Sequence, residues 1–475
     1  MSRILLVNTN RLRPRISPIG LEYVAGSLIA SGAELKVFDL AFAKRGFSQE
    51  LKELLEKFSP LLIGITVRNI DDCYYLSGQS FLNPIRWLIS WLRKNSSAKI
   101  VLGGVGYSIA PKALLEYLGA DYGIYGDGEL ALVQIFDRTS SDQKIDENLT
   151  GVLTPNSKTF HRAELAPDNF PRARNLVNNY SYFQVGGQIG IETKRGCDGK
   201  CIYCADPLAK GRKIRMRNPV AVADEIEELI SYGVSAFHIC DSEFNRPYFH
   251  CYQVLEQIQK KGFGKKIELY SYMSPKPFDL DLAQLYRKAG GRGICFGVDS
   301  GSEKMLKILN RDHLVRDIEK AVSLSKKVGI KVMLDLLVGG PGENKNTLSE
   351  TINLMNRLKP DRVGISYGIR VYDKTALKSL IEQEGKGDAE GIVLGSFRNN
   401  PELIFPTFYL SPLLKKDGLN YLKNCIGKDK RFFLPSTPAK QQNYNYSDNL
   451  YLEQLIKKGA KGAYWAILSE TTDNA

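Results

Sequence analysis

The fold of this chain is decided by the stretch Lys194-Arg195-Gly196-Cys197-Asp198-Gly199-Lys200-Cys201-Ile202-Tyr203-Cys204. Its three cysteines follow the spacing C-x3-C-x2-C, which lets all three sulfurs point into one small volume. Thiolates are preferred ligands of iron–sulfur clusters, and a 4Fe–4S cluster takes one ligand per iron. Three cysteines therefore hold three irons and leave the fourth open for another molecule. The alternative is a set of buried or zinc-bound cysteines, for which the nearest further ligands, His238 and Cys240, follow only after a predicted helix.

With Gly196 and Gly199 as bends and an aromatic residue before the last cysteine, this stretch resembles the cluster loop of the radical S-adenosylmethionine enzymes. In that family the open iron is chelated by the amino and carboxylate groups of S-adenosylmethionine. An electron from the cluster then cleaves the sulfonium to a 5′-deoxyadenosyl radical. The resemblance implies that the cluster ligands are Cys197, Cys201 and Cys204, with Tyr203 among the cofactor contacts. It carries little information about the substrate.

The length of 475 residues predicts two or three domains, and the composition is that of an ordinary soluble protein. No apolar run approaches the length of a membrane span, and the start, MSRILLVNTN, is typical of a strand rather than a signal peptide, so we expect a cytoplasmic protein. The net charge of +13 suggests nucleic acid, but the Lys and Arg residues are spread along the chain, which favours solvated faces. The remaining cysteines are expected in the core: Cys73, Cys240, Cys251, Cys295 and Cys425.

Residues 1–140 alternate β-rich runs with helical periodicity, which predicts a parallel, doubly wound (Rossmann-like) sheet with helices on both faces. We expect strands at Ile4–Asn8, Glu34–Asp39, Leu61–Val67, Lys99–Gly103 and Tyr122–Tyr125, and helices near 20–31, 48–57, 84–94 and 110–118. Such sheets bind ligands at the carboxyl ends of their strands. Paired glycines at two of these ends would let a bulky ligand approach the backbone closely, although a plain tight turn explains each pair equally well.

Three segments of this region, 18–28, 102–108 and 125–129, resemble the cobalamin-binding domain found ahead of many radical S-adenosylmethionine cores. The resemblance implies cobalamin contacts from the following residues: Arg68, Asn69, Gly103, Gly104, Tyr107, Gly126 and Gly128. Methylthiotransferases also place a domain ahead of the cluster loop, but theirs carries three cysteines. Only Cys73 lies in this region, so that interpretation fails.

The loop that would supply a lower cobalt ligand departs from the D-x-H-x-x-G pattern, since no histidine precedes His161. It contains Val67-Arg68-Asn69-Ile70-Asp71-Asp72 instead. This resembles the subset exemplified by the tryptophan C2-methyltransferase of thiopeptide biosynthesis, in which an arginine lies near the lower cobalt face without binding. The resemblance gives that place to Arg68; the alternative is an arginine that holds a phosphate or an acidic neighbour. An uncoordinated lower face would favour polar methyl transfer.

Residues 141–187 lose periodicity and gain Ser, Asn, Asp and Pro, which predicts a linker. Strand–helix alternation resumes over 188–380, with strands expected at 188–194, 235–241, 266–273, 293–299, 331–338 and 361–369. The first helix has Asn218 as N-cap, Pro219 at its first position and Gly233 at its end. Six units predict a partial (β/α)6 barrel of the radical S-adenosylmethionine type, with its active site at the carboxyl ends of the strands. Residues 381–475 form a mixed segment, with a helix from about 447 to 458, which we expect to cap the substrate pocket.

Motifs at successive strand ends resemble those with which the family binds S-adenosylmethionine. Glu243, beside Ser242, takes the place of the residue that accepts from the ammonium group, and Arg370 that of a carboxylate partner. The segment 297–301 resembles G-x-E-S-G with Asp for Glu, and 339–343 resembles G-x-P-G-E, whose backbone packs against adenine. The segment 368–375, after the sixth strand, resembles G-I-R-x-Y-P-G-T, with Asp373-Lys374 in place of Pro-Gly. The full set of implied contacts is Tyr203, Ser242, Glu243, Ser271, Asp299, Ser300, Gly340, Pro341 and Arg370; a structural turn or salt bridge is the alternative for each.

These resemblances imply a cobalamin-dependent radical S-adenosylmethionine C-methyltransferase that passes a methyl group from S-adenosylmethionine through methylcobalamin to a carbon of a small-molecule or peptide substrate. A 4Fe–4S cluster, S-adenosylmethionine and cobalamin are its expected cofactors, with an electron donor such as flavodoxin or ferredoxin. No general base can be assigned from the sequence. The alternatives are a cobalamin enzyme that catalyses a rearrangement, cyclisation or carbon–carbon bond formation, and an RNA-modifying protein. Basic residues follow the cluster loop, and most of them are expected to be solvated: Lys210, Arg212, Lys213, Arg215 and Arg217.

Overall fold

A computed structural model of the chain describes residues 2–44, 46–146, 148–383, 391–434 and 449–469. Its first part is a six-stranded sheet with helices on both faces. The strands are β1 (Arg3–Asn8), β2 (Glu34–Asp39), β3 (Leu62–Thr66), β4 (Lys99–Gly103), β5 (Tyr122–Ile124) and β6 (Val152–Leu153). The helices are α1 (Ile19–Ala30), α2 (Ser48–Phe58), α3 (Leu82–Asn95), α4 (Pro111–Leu118) and α5 (Glu129–Ser140), with a 3₁₀ turn at Tyr107–Ile109.

The strand order of this sheet is β2-β1-β3-β4-β5-β6. Strands β1 to β5 are parallel, and the winding direction reverses between β1 and β3, which makes that position the switch point. Strand β1 is buried from Ile4 to Asn8 because helices cover both faces of the sheet. The predicted doubly wound fold is therefore confirmed. Strand β6 pairs antiparallel with β5, so the stretch 141–187 adds an edge strand to the sheet as well as connecting it to the next unit.

The second part starts with helix α6 (Asn179–Gln184) and strand β7 (Gly190–Ile191), followed by a two-stranded antiparallel ribbon of β8 (Lys194–Arg195) and β9 (Arg215–Met216). The strands that follow are β10 (Ala236–Ile239), β11 (Glu268–Met273), β12 (Gly291–Asp299), β13 (Lys331–Val338), β14 (Arg362–Tyr367), β15 (Ile369–Arg370), β16 (Ile392–Leu394), β17 (Phe408–Tyr409) and β18 (Phe432–Phe433). The helices are α7 (Asp206–Lys210), α8 (Pro219–Ser231), α9 (Tyr248–Lys260), α10 (Leu280–Lys288), α11 (Glu303–Ile308), α12 (Val315–Lys327), α13 (Lys345–Leu358), α14 (Ala376–Gln383), α15 (Gly418–Ile426), α16 (Leu450–Lys457) and α17 (Tyr464–Ser469).

Seven of these strands form a parallel sheet in the order β18-β14-β13-β12-β11-β10-β7. The six strands from β7 to β14 follow one another in space as they do along the chain, which is the arrangement of a barrel opened along one side. This confirms the predicted partial barrel. Helix α8 begins as the sequence predicts: the Asn218 side chain accepts a hydrogen bond from the Val220 N–H at 2.9 Å, and Pro219 occupies the first helical position.

The carboxyl-terminal segment contributes to the barrel at two places. Strand β18 extends the sheet beside β14, and β16 and β17 form a small separate sheet with β15, which precedes this segment. Helix α17 closes the amino end of the barrel, where Trp465 meets Tyr270 edge to face at 6.3 Å. The helix expected at 447–458 corresponds to α16 over Leu450–Lys457, and residues 447–448 lie outside the described residues.

The carboxyl edges of the two large sheets face each other. The loop after β3 meets the residues after β14: Arg370 Nε lies 2.8 Å from Asp71 Oδ2, and both side chains are buried. Cys73 Sγ lies 3.2 Å from the Tyr372 hydroxyl. A Cβ on Gly368, whose φ is +82°, would meet the Tyr75 side chain at 3.1 Å. Any ligand held at one edge therefore lies against the other.

A buried ionic network fixes the two parts relative to each other. Arg174, fully buried, pairs with Glu22 of α1 at 3.2 Å and with Glu225 of α8 at 2.7 Å. Arg217 also reaches Glu225 at 2.7 Å, and the Tyr23 hydroxyl donates to the same carboxylate at 3.0 Å. Removing one partner of a buried pair typically costs about 3–5 kcal/mol, so this network resists separation of α1 from α8. In the described part of the chain, no helix combines the length and the apolar character needed to cross a membrane.

Candidate active site

The cysteine loop is closed at its base by the β8–β9 ribbon, which pairs Arg195 with Arg215. Within the loop, the Cys197 N–H donates to the Gly211 carbonyl at 2.9 Å. A Cβ built on Gly199 would lie 3.2 Å from Cys197 Sγ and 4.0 Å from Cys201 Sγ. Both sulfurs therefore lie on the same side of the loop, against the backbone of this glycine.

The donor set fits an iron–sulfur cluster better than a single ion. Cys197, Cys201 and Cys204 are all free thiols and half-buried. Burial raises the pKa of each, and the neighbouring cysteines add to the effect on Cys204. Among the described residues, no three His, Cys, Asp or Glu side chains converge as ligands of one metal ion. A cubane cluster makes a different demand, because each cysteine binds a different iron. The three thiols supply that set.

Arg311, which belongs to none of the sequence motifs, organises the space beside the cysteines. Its side chain is only 6% exposed, and Nη1 donates to Cys201 Sγ at 2.9 Å. Nη2 donates to the Gly297 carbonyl at 2.6 Å and lies 3.3 Å from Glu243 Oε1. Arg311 follows α11, 110 residues after Cys201, so no local spacing relates it to the cluster loop. The signal in the sequence is only the short polar run Arg311-Asp312-His313 after a helix, which is weak.

Asp299 is held from two sides in this space. The Tyr203 hydroxyl donates to Asp299 Oδ2 at 2.5 Å, and Arg311 Nε lies 3.3 Å from the same oxygen. The backbone of Asp299 has a φ of +61°, a left-handed conformation that is costly for a residue with a side chain and is concentrated at functional sites. The predicted contacts Tyr203, Glu243 and Asp299 are thus brought together around Arg311.

A second polar group lies on the other side of the loop. The Lys210 ammonium donates to Asp206 Oδ2 at 3.2 Å and to Ser242 Oγ at 3.3 Å. The Asp206 N–H donates to Cys204 Sγ at 3.4 Å. Lys210 and Asp206 therefore connect Ser242 and Glu243 to the last cysteine of the loop.

The side chains of two predicted contacts, Ser271 and Ser300, point toward the surrounding helices. Ser271 is buried and donates to the Tyr286 hydroxyl at 3.1 Å, on the side of the helices. Its neighbour Tyr272, 47% exposed, lies on the opposite face, because successive side chains of a strand alternate. Ser300 is also buried, with Oγ 2.9 Å from the Thr351 hydroxyl of α13. Tyr272, rather than Ser271, is therefore the exposed side chain at this strand end, and Ser300 packs against α13.

The loop after β13 is packed more tightly than the adenine contact predicts. A Cβ on Gly340 would lie 3.2 Å from both Leu309 and Met305, while Pro341 is half-buried. The buried carboxylate of Glu343 accepts from the N–H groups of Gly339 and Gly340, at 2.5 and 3.1 Å. Burial raises the pKa of Glu343 to about 7. The glycines thus let the chain turn back onto this carboxylate and onto α11.

Arg370 is used differently from the carboxylate contact expected for it. Its Nε donates to Asp71 Oδ2 at 2.8 Å and its Nη2 to the Leu403 carbonyl at 2.8 Å, with Nη1 directed to the Val371 carbonyl. The side chain is 4% exposed. These bonds use three of the five N–H groups and turn the guanidinium toward Asp71 and Leu403, at the contact between the two parts of the molecule. We therefore correct this expectation: Arg370 holds the two edges together.

The edge of the first sheet presents backbone and one arginine. Gly104 has a φ of +107°, and a Cβ there would lie 2.7 Å from the Val67 carbonyl. A Cβ on Gly106 would lie 2.8 Å from the Arg68 carbonyl. Gly103 is half-buried beside them. The Arg68 side chain is exposed and donates to Asn69 Oδ1 at 2.7 Å rather than to an acidic residue. This glycine cradle can accept a broad planar ligand against its backbone.

Three further residues predicted for this edge have structural roles. Tyr107 is completely buried, and a Cβ on Gly123 would collide with its ring, so it packs in the core and cannot touch a ligand in the cleft. Gly126, with a φ of +96°, packs against Ala163 of the connecting stretch. A Cβ on Gly128 would lie 2.9 Å from Val24 of α1. We therefore correct the expected cobalamin contact of Tyr107.

Two cysteines predicted for the core line the cleft instead. Cys251 and Cys295 are buried as expected, and Cys425 is half-buried, but Cys73 and Cys240 are exposed. Surrounding protein raises the pKa of Cys240 to about 11, and the positive charge of Arg68 opposes that shift across the cleft. A thiol that solvent reaches although protein surrounds it lies on the wall of an internal cavity.

Comparison with protein families agrees with this geometry. Residues 6–136 match the model of the B12 binding domain, and residues 191–355 match that of the radical SAM superfamily. The two matches coincide with the two sheets whose carboxyl edges meet. This chain is a cobalamin-binding radical S-adenosylmethionine enzyme.

The radical S-adenosylmethionine enzyme is similar to characterised proteins over its whole length. It is 29% identical to the tryptophan 2-C-methyltransferase of Streptomyces laurentii, over 98% of this chain and 95% of the relative. The structure of the radical S-adenosylmethionine methyltransferase TsrM from Kitasatospora setae, with tryptophan substrate and the analogue aza-SAM, is 28% identical and superposes with a TM-score of 0.90, covering 100% of this chain and 99% of that one. The TsrM structure with cobalamin and a [4Fe-4S] cluster gives 27% identity and a TM-score of 0.89, with coverages of 100% and 98%.

Proposed function

We propose that this enzyme is a cobalamin-dependent C-methyltransferase that moves a methyl group from S-adenosylmethionine to a carbon of a small aromatic substrate of the tryptophan type. The observation that carries the proposal is the meeting of the two carboxyl edges, where Arg370 pairs with Asp71 and Cys73 contacts Tyr372, with the glycine cradle at the edge of the first sheet and the cysteine loop at the edge of the barrel. The whole-length similarity to tryptophan methyltransferases supports the reaction class and the substrate type.

Each part of the cleft has a distinct task in this proposal. Cys197, Cys201 and Cys204 would bind the cluster, Glu243 and Arg311 would bind the charged ends of S-adenosylmethionine, and the glycine cradle would bind cobalamin. When bound, cobalamin supplies a carrier for the methyl group, and the cluster supplies a single electron. Arg311 offers guanidinium N–H groups and Glu243 offers carboxylate oxygens, which match the carboxylate and the ammonium of an amino acid.

The substrate would lie deeper in the barrel, where inward-facing side chains form a polar floor. The Cys295 thiol donates to Asp335 Oδ2 at 3.0 Å. Burial and the carboxylate of Asp335 raise the pKa of Tyr464, which reaches this floor from α17. Tyr272 exposes its ring above them. An aromatic ring can stack on Tyr272 while its N–H donates to Asp335, which is the recognition expected for an indole or a related amine.

The uncoordinated lower face expected from Arg68 favours polar methyl transfer to an sp2 carbon. Overall, such a transfer would convert S-adenosylmethionine and the substrate into S-adenosylhomocysteine, the ring-methylated substrate and one proton. We propose further that an external electron donor such as flavodoxin or ferredoxin keeps the cofactors reduced, and that the protein works in the cytoplasm. The non-methylating alternative would instead release 5′-deoxyadenosine without a methylated product.

The test is incubation of anaerobically purified protein, loaded with cluster and cobalamin, with S-adenosylmethionine carrying a deuterated methyl group and with tryptophan. Mass spectrometry should find the label on the tryptophan ring. The Asp335→Asn variant should raise the KM for tryptophan about tenfold while its cluster and cobalamin contents stay normal, because the lost interaction is worth about 1–2 kcal/mol. The Cys425→Ala variant, altered outside the cleft, serves as the matched control.

Two outcomes would count against the proposal. Formation of 5′-deoxyadenosine with an unlabelled, altered substrate would favour the rearrangement class. Labelled product from the Asp335→Asn variant with unchanged KM would leave the methyl transfer standing and remove Asp335 from substrate recognition.

A further inference from the structure

Basic side chains are compensated differently at the two ends of the barrel. At the carboxyl end, three of the five basic residues that follow the cluster loop are bound to acidic side chains: Lys210 to Asp206, Arg215 to Asp127 and Arg217 to Glu225. The expectation that most of the five are solvated is therefore wrong, since only the remaining two are exposed: Arg212 and Lys213. At the amino end the balance of charge is different.

A cavity of about 400 Å³ lies at the amino end of the barrel. Its wall includes the first residues of β10 and β11, the start of β12, and the segment between α16 and α17. Four of its side chains are cations, which we call the amino-end cations: Lys265, Lys266, Arg292 and Lys461. The volume falls in the range of small-molecule sites, about 300–1,000 Å³. The cysteine loop lies at the opposite end of the barrel, so this cavity is separate from the candidate active site.

Acidic side chains compensate only part of this charge. Glu268 Oε1 lies 3.7 Å from Arg292 Nε, and its other oxygen accepts from the Tyr270 hydroxyl at 3.0 Å. Within the described part of the chain, Glu268 is the one acid that lines the cavity, and neither Lys265 nor Lys266 forms an ion pair. Four positive charges against one negative charge leave an excess of three. Because like charges around one concavity repel, a bound anion would relieve this excess.

Two of the amino-end cations are already held in position. Lys461 Nζ donates to the Gln184 carbonyl and lies 5.3 Å from the centre of the Phe183 ring. Burial lowers the pKa of Lys461, so its charged form would gain from an anion beside it. Arg292 Nε is shielded from solvent and has no hydrogen-bond partner among the residues that the structure describes. Groups that are fixed before a ligand arrives lose less conformational freedom when it binds.

The helix dipole explains basic residues at helix ends, but it does not explain this cluster. Lys260 and Lys327 lie in the last turns of α9 and α12, where a cation is favoured by the dipole. Arg292 instead lies on β12 and Lys461 between α16 and α17, and Lys265 ends a 3₁₀ turn of three residues. The amino-end cations thus come from separate parts of the chain and converge on one cavity.

We propose that this cavity binds a small anion with two or three phosphate groups, such as diphosphate or a nucleoside triphosphate. An arginine offers paired N–H donors to phosphate oxygens, and lysines add point charges. A multiply charged anion matches an excess of three positive charges better than a single carboxylate does. Ile267 and Ile467 contribute apolar wall on which an organic part of the ligand can pack. The site goes beyond the proposed function and does not depend on it.

The phosphate backbone of RNA has the same chemistry, and the structure favours a small ligand. The amino-end cations surround a concave space, whereas an extended chain needs a strip of cations. Single-stranded RNA also stacks its bases on exposed aromatic side chains. The aromatic residue in the cavity wall, Tyr270, is only 6% exposed, and Trp465 packs edge to face against its ring.

The test is a calorimetric titration of the cluster- and cobalamin-loaded protein with inorganic diphosphate at low ionic strength. The Lys265→Gln/Lys266→Gln variant should bind diphosphate about tenfold more weakly than the wild type, because it loses two charged donors from exposed positions. The matched control is Lys260→Gln/Lys327→Gln, which removes the same charge from exposed helix ends outside the cavity and should bind as the wild type does. A parallel titration with ATP shows whether the apolar wall adds affinity.

A second variant and a second readout keep the test independent of folding and of the active site. Diphosphate should raise the melting temperature of the wild type and of the control, but raise that of Lys461→Met much less. The Cys201→Ala variant, without its cluster, should bind diphosphate as the wild type does. A loss of binding there would place the anion at the active site and overturn the proposal. None of these readouts requires methyl transfer, so failure of the proposed function would leave the result unaffected.

Three further outcomes would overturn the inference. The first is the absence of saturable diphosphate binding by the wild type. The second is an equal loss of affinity in the Lys265→Gln/Lys266→Gln variant and its control, which would indicate attraction by the overall charge. The third is RNA that binds the wild type more tightly than diphosphate does and is displaced from the same lysines.

Discussion

The two edges of the cleft hold their ligands in different ways. The edge of the first sheet is built mainly from backbone, where a Cβ on Gly104 or Gly106 would lie 2.7–2.8 Å from a carbonyl oxygen. The edge of the barrel is built from charged side chains, with Arg311 between Cys201, Glu243 and Asp299. The first edge offers space and the second offers charge. Substitutions at the first edge should therefore act through size, and those at the second through electrostatics.

The largest effect is expected from Cys201→Ala. Loss of one thiolate leaves two ligands for a cluster that takes three from the protein, so iron should fall from about four per chain to near zero. Cobalt should stay at about one per chain, because the glycine cradle does not include the cysteines. Metal analysis of anaerobically purified protein measures both. Cys425→Ala is the control, and a joint loss of iron and cobalt in Cys201→Ala would mean that the two edges do not bind independently.

Gly104→Ala should have a smaller effect, and it should weaken the binding of cobalamin instead of the binding of iron. At a φ of +107° a methyl group is strained and would lie 2.7 Å from the Val67 carbonyl, so the loop must move. Cobalamin affinity should fall roughly tenfold, about 1.4 kcal/mol, with normal iron content. Spectroscopic titration with cobalamin measures the change. Gly20→Ala, where no atom lies within 4 Å, should bind cobalamin as the wild type does, and equal affinities in both variants would contradict a cradle of backbone.

The barrel edge should respond to charge without a change in size, which Arg311→Met tests. Arg311 donates to Cys201 Sγ, and a cationic donor at a cluster sulfur favours the added electron. Its removal should lower the midpoint potential of the cluster on the order of 50 mV, about 1 kcal/mol for one electron. A redox titration followed by electron paramagnetic resonance measures this. Arg246→Met, which removes a cation from Glu243 but touches no cysteine, should shift the potential less.

The sequence predicted those parts of the molecule that depend on neighbours along the chain. The strands β1 to β5 lie within one or two residues of their predicted ends, because hydrophobic runs and turn residues are local signals. The three cysteines, Gly103 and Gly104 are singled out by the same kind of local signal, and their ligand contacts stay predictions. Each needs only a short segment to be recognised, and the fold brings such segments to the strand ends by its regular winding.

The failures all concern the direction in which a side chain points. Ser271 and Tyr272 are adjacent, and an error of one position moves a side chain to the other face of the sheet. Tyr107 follows the cradle but turns into the core through a 3₁₀ turn. Arg311 and Arg370 owe their roles to partners 110 and 299 residues away, which no spacing in one sequence reveals. The charged side-chain contacts at the barrel edge are therefore harder to predict from the sequence than the glycine positions at the edge of the first sheet.

The last comparison concerns a glycine loop on the charged edge and is measured as stability rather than as ligand binding. Burial raises the pKa of Glu343 from 4.5 to about 7, although two backbone N–H groups favour its charged form. A carboxyl group that holds its proton more tightly in the folded state stabilises the fold fully below its unfolded pKa. That stability is lost as the pH rises through about 7.

Relative to Glu343→Gln, the wild type should therefore lose up to about 3 kcal/mol of unfolding free energy between pH 5 and 8, since each unit of pKa shift corresponds to about 1.4 kcal/mol. Denaturant unfolding of both proteins across this pH range measures the difference. Glu50→Gln, at an exposed position of α2, should run parallel to the wild type. If the difference in unfolding free energy between wild type and Glu343→Gln were constant with pH, the ionisation of Glu343 would not contribute to the stability of the loop after β13. This loop would then depend on the close packing of its glycines, like the cradle at the first edge. A difference that falls as the pH rises would show that the ionisation of Glu343 affects the stability of the glycine-rich loop at the barrel edge.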